Sequence, residues 1–204
     1  MKKIAFSDKY ELTQAVLEGR KTMTRRIAYL SQHAADVLMG KIPTCPQSIV
    51  DSLWLKSRVK VGEVVAVAQS YESLGMNPET ALNDKDGIGF YTKIKFAPGW
   101  KNKMFVRVDL LPHHIRITNI RIERLQSISE DDCLKEGVEL NTRQYEYDGT
   151  KRYFVRGLGH WRAIGCDQFN TPREAFVALI DKVLIKGTWN SNPYVFVYEF
   201  ELID

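Results

Sequence analysis

Residues 114–125 read HIRITNIRIERL and contain the clearest β-strand signal in the chain. Isoleucines alternate with polar or charged residues over 115–117 and again over 120–122, which is the two-residue period of a strand with one buried face. The alternation changes phase at Thr118-Asn119, where a β-bulge would keep both pairs of isoleucines on one face. The stretch therefore predicts a strand with a bulge near its middle.

Strand and helix signals are interspersed over the rest of the chain. Apolar or alternating runs predict strands, and a capping residue followed by helical spacing predicts a helix. The predicted strands cover 23–26, 64–68 and 194–200, with a hairpin in 141–165 about Asp148-Gly149; the predicted helices run from Ser7 to about 18, near 49–54, from Ser129 to about 136, and from Thr171 to Gly187. Because strands outnumber helices, we expect an α+β fold, a small mixed β-barrel with helices packed outside.

The composition is that of an ordinary globular protein and excludes several classes. Of 204 residues, 44% are hydrophobic and 26% charged, unlike a wholly disordered chain, collagen or a long coiled coil. No uncharged apolar window reaches the roughly 18 residues of a membrane-spanning helix. Residues 1–12 also lack the apolar core of a signal peptide. We therefore expect a cytoplasmic protein. We also expect a single domain over 1–204, because a single hydrophobic core grows to about 250–300 residues.

Positive charge is concentrated in the first third of the chain. The whole sequence has a net charge of +4, whereas residues 1–62 contain eleven Lys and Arg against five Asp and Glu, which gives +6. A basic segment of this kind is compatible with a phosphate-bearing partner such as nucleic acid, although many solvated faces are basic as well.

The most unusual segment is GRKTMTRR at residues 19–26, in which four cations and two hydroxyls lie just past a helix end. One interpretation is a solvated basic turn, since cations are favoured at a helix C-terminus. The other is a phosphate or nucleobase site. Lys21 and Thr24, three residues apart, reach the same small volume, and a lysine with a depressed pKa can take the threonine proton. The sequence contains no Walker loop, GxGxxG, HExxH or GxSxG motif.

The segment 19–26 resembles the signature of the ASCH domain family in the PUA-like superfamily. Three further pieces are similar to that family: VGEVVAV at 61–67, the central strand and helix with IRIERL at 120–125 and Glu136-Gly137, and the closing strand at 192–200. The longer bacterial and phage-associated members are the most similar group. We expect no cofactor and no metal.

The resemblance implies a PUA-like barrel with a cleft beside the first helix and an association with RNA or nucleotides. Some compact members remove the acetyl group from N4-acetylcytidine with a Lys, Thr and Glu set, which Lys21, Thr24 and Glu136 match. The threonine would attack the amide carbonyl, the lysine would activate it, and the glutamate would assist. This chain is longer, with insertions near 27–60, 72–102 and 141–168.

Further residues are candidates for ligand or nucleic-acid binding. An RNA groove would continue from the basic turn, Glu72 follows the 64–68 strand, and tryptophans can stack on bases. The candidates are Arg20, Arg25, Arg26, Glu72 and Trp161. The adjacent histidines His113 and His114 point to opposite faces of a strand and do not suit one metal. Cys133 lacks a histidine partner and does not suit a nucleophile.

Three functions remain open from the sequence. The first is an amidohydrolase acting on a modified cytidine or a similar acylated nucleobase. The second is a non-catalytic module that binds RNA or another nucleic acid, and the third is a phage-derived accessory interaction domain. A closed nucleoside-sized pocket would favour the first, an open basic groove the second, and an exposed apolar patch the third.

Overall fold

The computed structural model describes residues 1–29, 57–76, 98–159 and 167–204. The helix predicted near 49–54, Trp161 and much of the three predicted insertions therefore lie outside the described residues.

A five-stranded sheet lies at the centre of the described residues. The described residues contain seven strands in two sheets. They are β1 (Lys3–Ile4), β2 (Met23–Ile27), β3 (Val64–Val67), β4 (His114–Arg124), β5 (Glu139–Leu140), β6 (Tyr153–Phe154) and β7 (Tyr194–Leu202). The sheet has the order β1-β3-β4-β7-β2, and β5 and β6 form a separate antiparallel pair. Only the β1–β3 pairing in the larger sheet is parallel, so the α+β class is confirmed.

The long strand β4 and its bulge agree with the sequence prediction. Its pairing with β7 shifts register between Ile117 and Asn119, so Ile117 lies opposite Phe200 and Ile120 lies opposite Tyr198. The shift returns the isoleucines to the same face of the sheet. Ile117 is fully buried there, as is Ile115.

The helices predicted to start at Ser129 and at Thr171 begin at those caps. The helices are α1 (Leu12–Leu17), α2 (Tyr71–Leu74), α3 (Glu130–Lys135), α4 (Thr142–Asp148), α5 (Pro172–Val183) and α6 (Thr188–Ser191). The Ser129 side chain accepts a hydrogen bond from the backbone of Asp132 in α3, and Thr171 accepts one from Glu174 in α5. No helix in the described ranges is long and apolar enough to cross a bilayer.

Two helix boundaries were predicted wrongly. The first helix begins at Leu12 and not after Ser7, because residues 8–11 form a turn in which Glu11 adopts a left-handed conformation. Helix α5 ends at Val183 and not at Gly187, because the backbone leaves the helical conformation at Leu184. Gly187 instead precedes α6.

The predicted hairpin about Asp148-Gly149 is a helix. The Asn141 side chain accepts a hydrogen bond from the Gln144 backbone and caps α4, which ends at Gly149 in a left-handed conformation. Local capping thus stabilises helix where a turn dipeptide predicted a hairpin. The chain segments on either side of α4 do pair antiparallel, as β5 and β6.

The two edge strands, β1 and β2, do not pair with each other in the described residues, so the sheet is not closed into a barrel there. Side chains link the two edges. The Arg26 guanidinium donates a hydrogen bond of 2.6 Å to the carbonyl of Ala5, just past β1. Phe6, just past β1, also packs against Phe200 of the interior strand β7, with 5.7 Å between the ring centroids. Closure of the barrel stays a prediction.

Candidate functional site

A half-open cleft lies where β2, α1 and α5 meet, beside the first helix. Its volume is about 420 Å³ when the open mouth is counted. Its enclosed part has room for a few water molecules. The polar residues that line it are Ser7, Lys21, Thr24, Arg25, Arg26 and Glu136, and its apolar wall includes Phe6, Leu12, Phe176 and Ile180.

Lys21 and Glu136 meet in this cleft although they are 115 residues apart in the sequence. Lys21 follows α1, and Glu136 is the residue after α3. The Lys21 Nζ donates to Glu136 Oε2 at 2.6 Å and to the Glu136 backbone carbonyl at 2.7 Å. Both side chains are almost completely buried, with 2% and 5% exposed. The pair is thus a desolvated contact and not a surface ion pair.

The burial of Lys21 alters its acidity. Loss of solvent lowers the pKa of Lys21 from its ordinary value, and the Arg25 and Arg26 charges act in the same direction. The Glu136 carboxylate opposes this shift without cancelling it. A lysine of this kind is easier to deprotonate than one at the surface, which suits it to accept a proton.

Thr24 brings a hydroxyl to the same cleft. It lies in β2 opposite Tyr198 of β7, and it is 4% exposed. In the part of the chain that the structure describes, its hydroxyl has no hydrogen-bond partner. Pairing with β7 positions the Thr24 backbone, and the residue lines the cleft that Lys21 and Glu136 also line.

Arg25 is buried inside a cluster of carboxylates. Its guanidinium donates to Glu136 Oε1 at 3.1 Å, to Glu123 Oε1 at 2.7 Å and to Asp132 Oδ2 at 2.9 Å. Burial alone would lower its pKa, but the carboxylates outweigh burial and raise it. Since 1% of its side chain is exposed, Arg25 has no free surface to offer a nucleic acid. Its contacts favour a role in positioning Glu136.

The carboxylates around Arg25 belong to a longer network. Arg121 binds Asp132, Glu123 and Glu199 and so connects α3 to both β4 and β7. The alternation of β4 places Arg121 and Glu123 on the face opposite its isoleucines. This network was not predicted from the sequence, although the alternation of the predicted strand places two charged residues, Arg121 and Glu123, on one face.

Arg26 differs from its neighbours in the cleft. Its Nη2 donates to the Ala5 carbonyl, and its guanidinium carbon lies 5.9 Å from the centre of the Phe6 ring. Burial lowers the pKa of Arg26. No carboxylate of the described residues lies within ion-pair distance of it.

The other predicted binding residues lie away from the cleft. Arg20 is half-buried and bridges Glu18 and Glu139, so its charge is already matched. Glu72 is exposed on α2 and does not line the cleft. Trp161 lies outside the described residues.

The described ranges contain neither a cluster of metal-ligating side chains nor an activated thiol. No group of three His, Cys, Asp or Glu side chains in them is arranged to hold a metal ion. His114 instead pairs with Asp204 at 2.7 Å. Burial raises the pKa of Cys133 to about 12, which makes its thiol a poor nucleophile at neutral pH.

Two solved structures are similar to this chain. One is a protein of Enterococcus faecalis V583 described by the family model DUF984, with 13% identity and a TM-score of 0.35 over 95% of this chain and 67% of that one. The other is an ASCH domain from Lactobacillus crispatus JV V101, with 13% identity and a TM-score of 0.35 over 98% of this chain and 79% of that one. No family model matches the sequence, and no curated protein matches it.

Proposed function

We propose that the protein is an amidohydrolase that removes an acyl group from a modified nucleobase of the N4-acetylcytidine type. The proposal rests on one observation, the buried contact of 2.6 Å between Lys21 and Glu136 in a cleft that Thr24 also lines. A desolvated lysine, a hydroxyl that has no hydrogen-bond partner among the described residues, and a carboxylate in one cleft are the parts that acyl transfer needs.

The chemistry assigns one role to each residue. The Thr24 Oγ attacks the amide carbonyl while the neutral amine of Lys21 accepts the hydroxyl proton. The Lys21 ammonium then donates this proton to the leaving nitrogen as the C–N bond breaks, so the acyl group stays on Thr24 as an ester. Water hydrolyses the ester to a carboxylate and restores the hydroxyl. Glu136 holds the Lys21 amine in position through its hydrogen bond.

The surroundings of the three residues support this assignment. Arg25 binds the second carboxylate oxygen of Glu136, so Glu136 presents a single oxygen to Lys21. The apolar wall formed by Phe6, Phe176 and Ile180 excludes water from one side of the cleft and strengthens charge interactions within it. A nucleoside requires the mouth of the cleft to widen, because the enclosed part holds only a few waters.

The direct test is hydrolysis of N4-acetylcytidine, with products separated by chromatography. We expect wild-type protein to form cytidine and acetate, and Lys21→Ala and Thr24→Ala to lose about 10²- to 10⁴-fold in turnover. The matched controls are Lys60→Ala, an exposed lysine, and Thr22→Ala in the same turn. Both controls keep their activity if the assignment is correct, and circular dichroism establishes that every variant is folded.

Two outcomes contradict the proposal in different ways. Turnover that survives both Lys21→Ala and Thr24→Ala refutes the site. No turnover by wild type with a panel of acylated nucleosides refutes the activity and favours a non-catalytic RNA-binding module. Titration of RNA at increasing salt then tests that module, because phosphate contacts weaken as salt rises.

The remaining finer features belong to the same proposal. We infer a PUA-like barrel closed through the seam between β1 and β2, which the Arg26 contact to Ala5 supports. We also propose a cytoplasmic location and membership of the longer phage-associated group. An enzyme or binding module that acts on RNA or nucleosides meets its ligand inside the cell.

A further inference from the structure

The loop between β1 and α1 forms one edge of the cleft. Two of its residues, Phe6 and Ser7, line the cleft together with Lys21. The Phe6 side chain is buried, and the centre of its ring lies 5.9 Å from the Lys21 Nζ. A shift of this loop would therefore change the shape of the cleft beside the amine that the proposed reaction uses.

Lys103 binds this loop, although it is distant in the sequence and does not line the cleft itself. Its Nζ donates to the Phe6 carbonyl, to Asp8 Oδ1 at 2.7 Å and to Thr13 Oγ1 at 3.0 Å. An ammonium group has three N–H donors, so all three are used on the loop and on the first turn of α1. Since 13% of the Lys103 side chain is exposed, these charge-assisted bonds form largely away from water, where they are strong.

The Thr13 hydroxyl does not replace Lys103 at the Phe6 carbonyl. Thr13 Oγ1 lies 3.2 Å from that carbonyl oxygen and closer to Asp8 Oδ1. A hydroxyl has one hydrogen to donate, and the shorter contact directs it to Asp8. Lys103 is therefore the side chain that holds the Phe6 carbonyl in the described residues.

The backbone of Lys103 is itself attached to the sheet. Lys103 begins a short 3-10 helix (Lys103–Phe105). The Lys3 Nζ of β1 donates to the carbonyl of Met104 at 2.7 Å and to that of Val106 at 2.5 Å. The short helix thus has a fixed position beside β1, and the Lys103 side chain connects this position to the loop.

We propose that Lys103 is a positioning residue that fixes the loop edge of the cleft, formed by Phe6 and Ser7, for substrate binding. The inference rests on the proposed function, because it concerns how the same cleft holds its substrate. Lys103 acts through the Phe6 carbonyl and contacts neither Lys21 nor Glu136, whose hydrogen bonds to each other do not depend on it. Loss of Lys103 therefore weakens binding and not the chemical step.

Steady-state kinetics with N4-acetylcytidine test this role. We expect Lys103→Met to raise KM about 3- to 10-fold while kcat stays within about twofold of wild type, because a displaced wall removes binding that the ground state and transition state share. Asp8→Ala removes a second acceptor at the same place and has a smaller effect in the same direction. The matched control is Lys101→Met, which keeps the wild-type KM. Lys101 is exposed and has no hydrogen bond or ion pair in the described residues.

Hydrogen–deuterium exchange tests the attachment of the loop without a substrate. In wild-type protein, the Leu12 amide donates to the Ser7 carbonyl at 2.9 Å and closes the loop. We expect Lys103→Met to exchange faster than wild type over residues 6–12 and at the wild-type rate over β2. Lys101→Met changes neither segment.

Each outcome supports or overturns the inference. A KM in Lys103→Met equal to that in Lys101→Met overturns it, as does a loss of kcat with KM unchanged. Exchange that is unchanged over 6–12, or that is faster over β2 as well, also overturns it. If wild-type protein hydrolyses no acylated nucleoside, the proposed activity fails, whereas faster exchange confined to 6–12 still supports the attachment of the loop by Lys103. Because Asp8 is exposed, Asp8→Ala keeps the test valid if Lys103→Met does not fold.

Discussion

Glu136 is the residue on which the charged side chains of the site converge. One of its oxygens binds Lys21 and the other binds Arg25, and both contacts are buried. Substitution of Glu136 would leave two buried cations facing each other, and breaking a buried pair commonly costs about 3–5 kcal/mol of stability. Because one Glu136 oxygen accepts a hydrogen bond from Lys21 and the other accepts one from Arg25, a single carboxylate stabilises both side chains in the buried site.

The lowered pKa of Lys21 predicts the pH dependence of stability. Between that pKa and the ordinary value of 10.5, the unfolded chain binds a proton at Lys21 that the folded chain does not. Stability therefore rises with pH over this interval. We expect wild-type protein to gain stability relative to Lys21→Met as the pH rises toward the ordinary lysine pKa of 10.5, measured by urea unfolding. A difference that stays flat or falls with pH contradicts the direction of the shift.

Helix α5 forms one wall of the cleft, so its stability and the shape of the site are connected. It contributes Phe176 and Ile180 to the apolar lining, and Phe176 is completely buried. The helix begins at Pro172 after the cap Thr171, and the Glu174 side chain accepts a hydrogen bond from the Asn170 backbone. Loss of the cap exposes a backbone N–H in the first turn of this wall.

Thr171→Ala is therefore expected to lower the free energy of unfolding by about 1 kcal/mol, the usual value of an N-cap side chain. Urea denaturation measures the change. The control is Ser127→Ala, an exposed hydroxyl without a capping contact. An equal change in both variants, or none in Thr171→Ala, would show that the cap does not stabilise α5.

At the scale of the whole molecule, the site exists because segments far apart in the chain pack together. Gly137, which follows Glu136, lies beside Leu12 of α1 and beside Lys21. It has a φ of 104°, and a Cβ atom there would lie 3.0 Å from Leu12 Cδ2 and 3.8 Å from Lys21 Cδ. Only glycine adopts this conformation without strain and also leaves space for Leu12.

Gly137→Ala is expected to cost about 1–3 kcal/mol of stability through backbone strain and crowding, and to reduce N4-acetylcytidine turnover in the protein that remains folded. The matched control is Gly149→Ala, which has a φ of 74° and nothing within 4 Å of its added Cβ. Thermal unfolding and turnover are measured on both. A loss of turnover in Gly149→Ala equal to that in Gly137→Ala contradicts the argument from packing.

Local patterns in the sequence determined the main elements of the fold. The alternation over 115–122 predicted β4 with its bulge, and the capping residues Ser129 and Thr171 predicted where two helices begin. These features depend on hydrogen bonds between near neighbours and on a period of side-chain burial, both of which are readable along the chain. The hairpin predicted about Asp148-Gly149 failed because Asn141, seven residues earlier, caps a helix.

The tertiary structure alone decided which charged residues belong to the site. The sequence presents Arg20, Arg25 and Arg26 as similar members of one basic segment, yet Arg20 pairs with acids away from the cleft, Arg25 is buried among carboxylates, and Arg26 has no acid partner in the described residues. The partners of Arg25 come from positions 98 to 111 residues away. Burial and charge pairing over such separations arise only when β2, β4 and α3 pack together, so no local pattern encodes them.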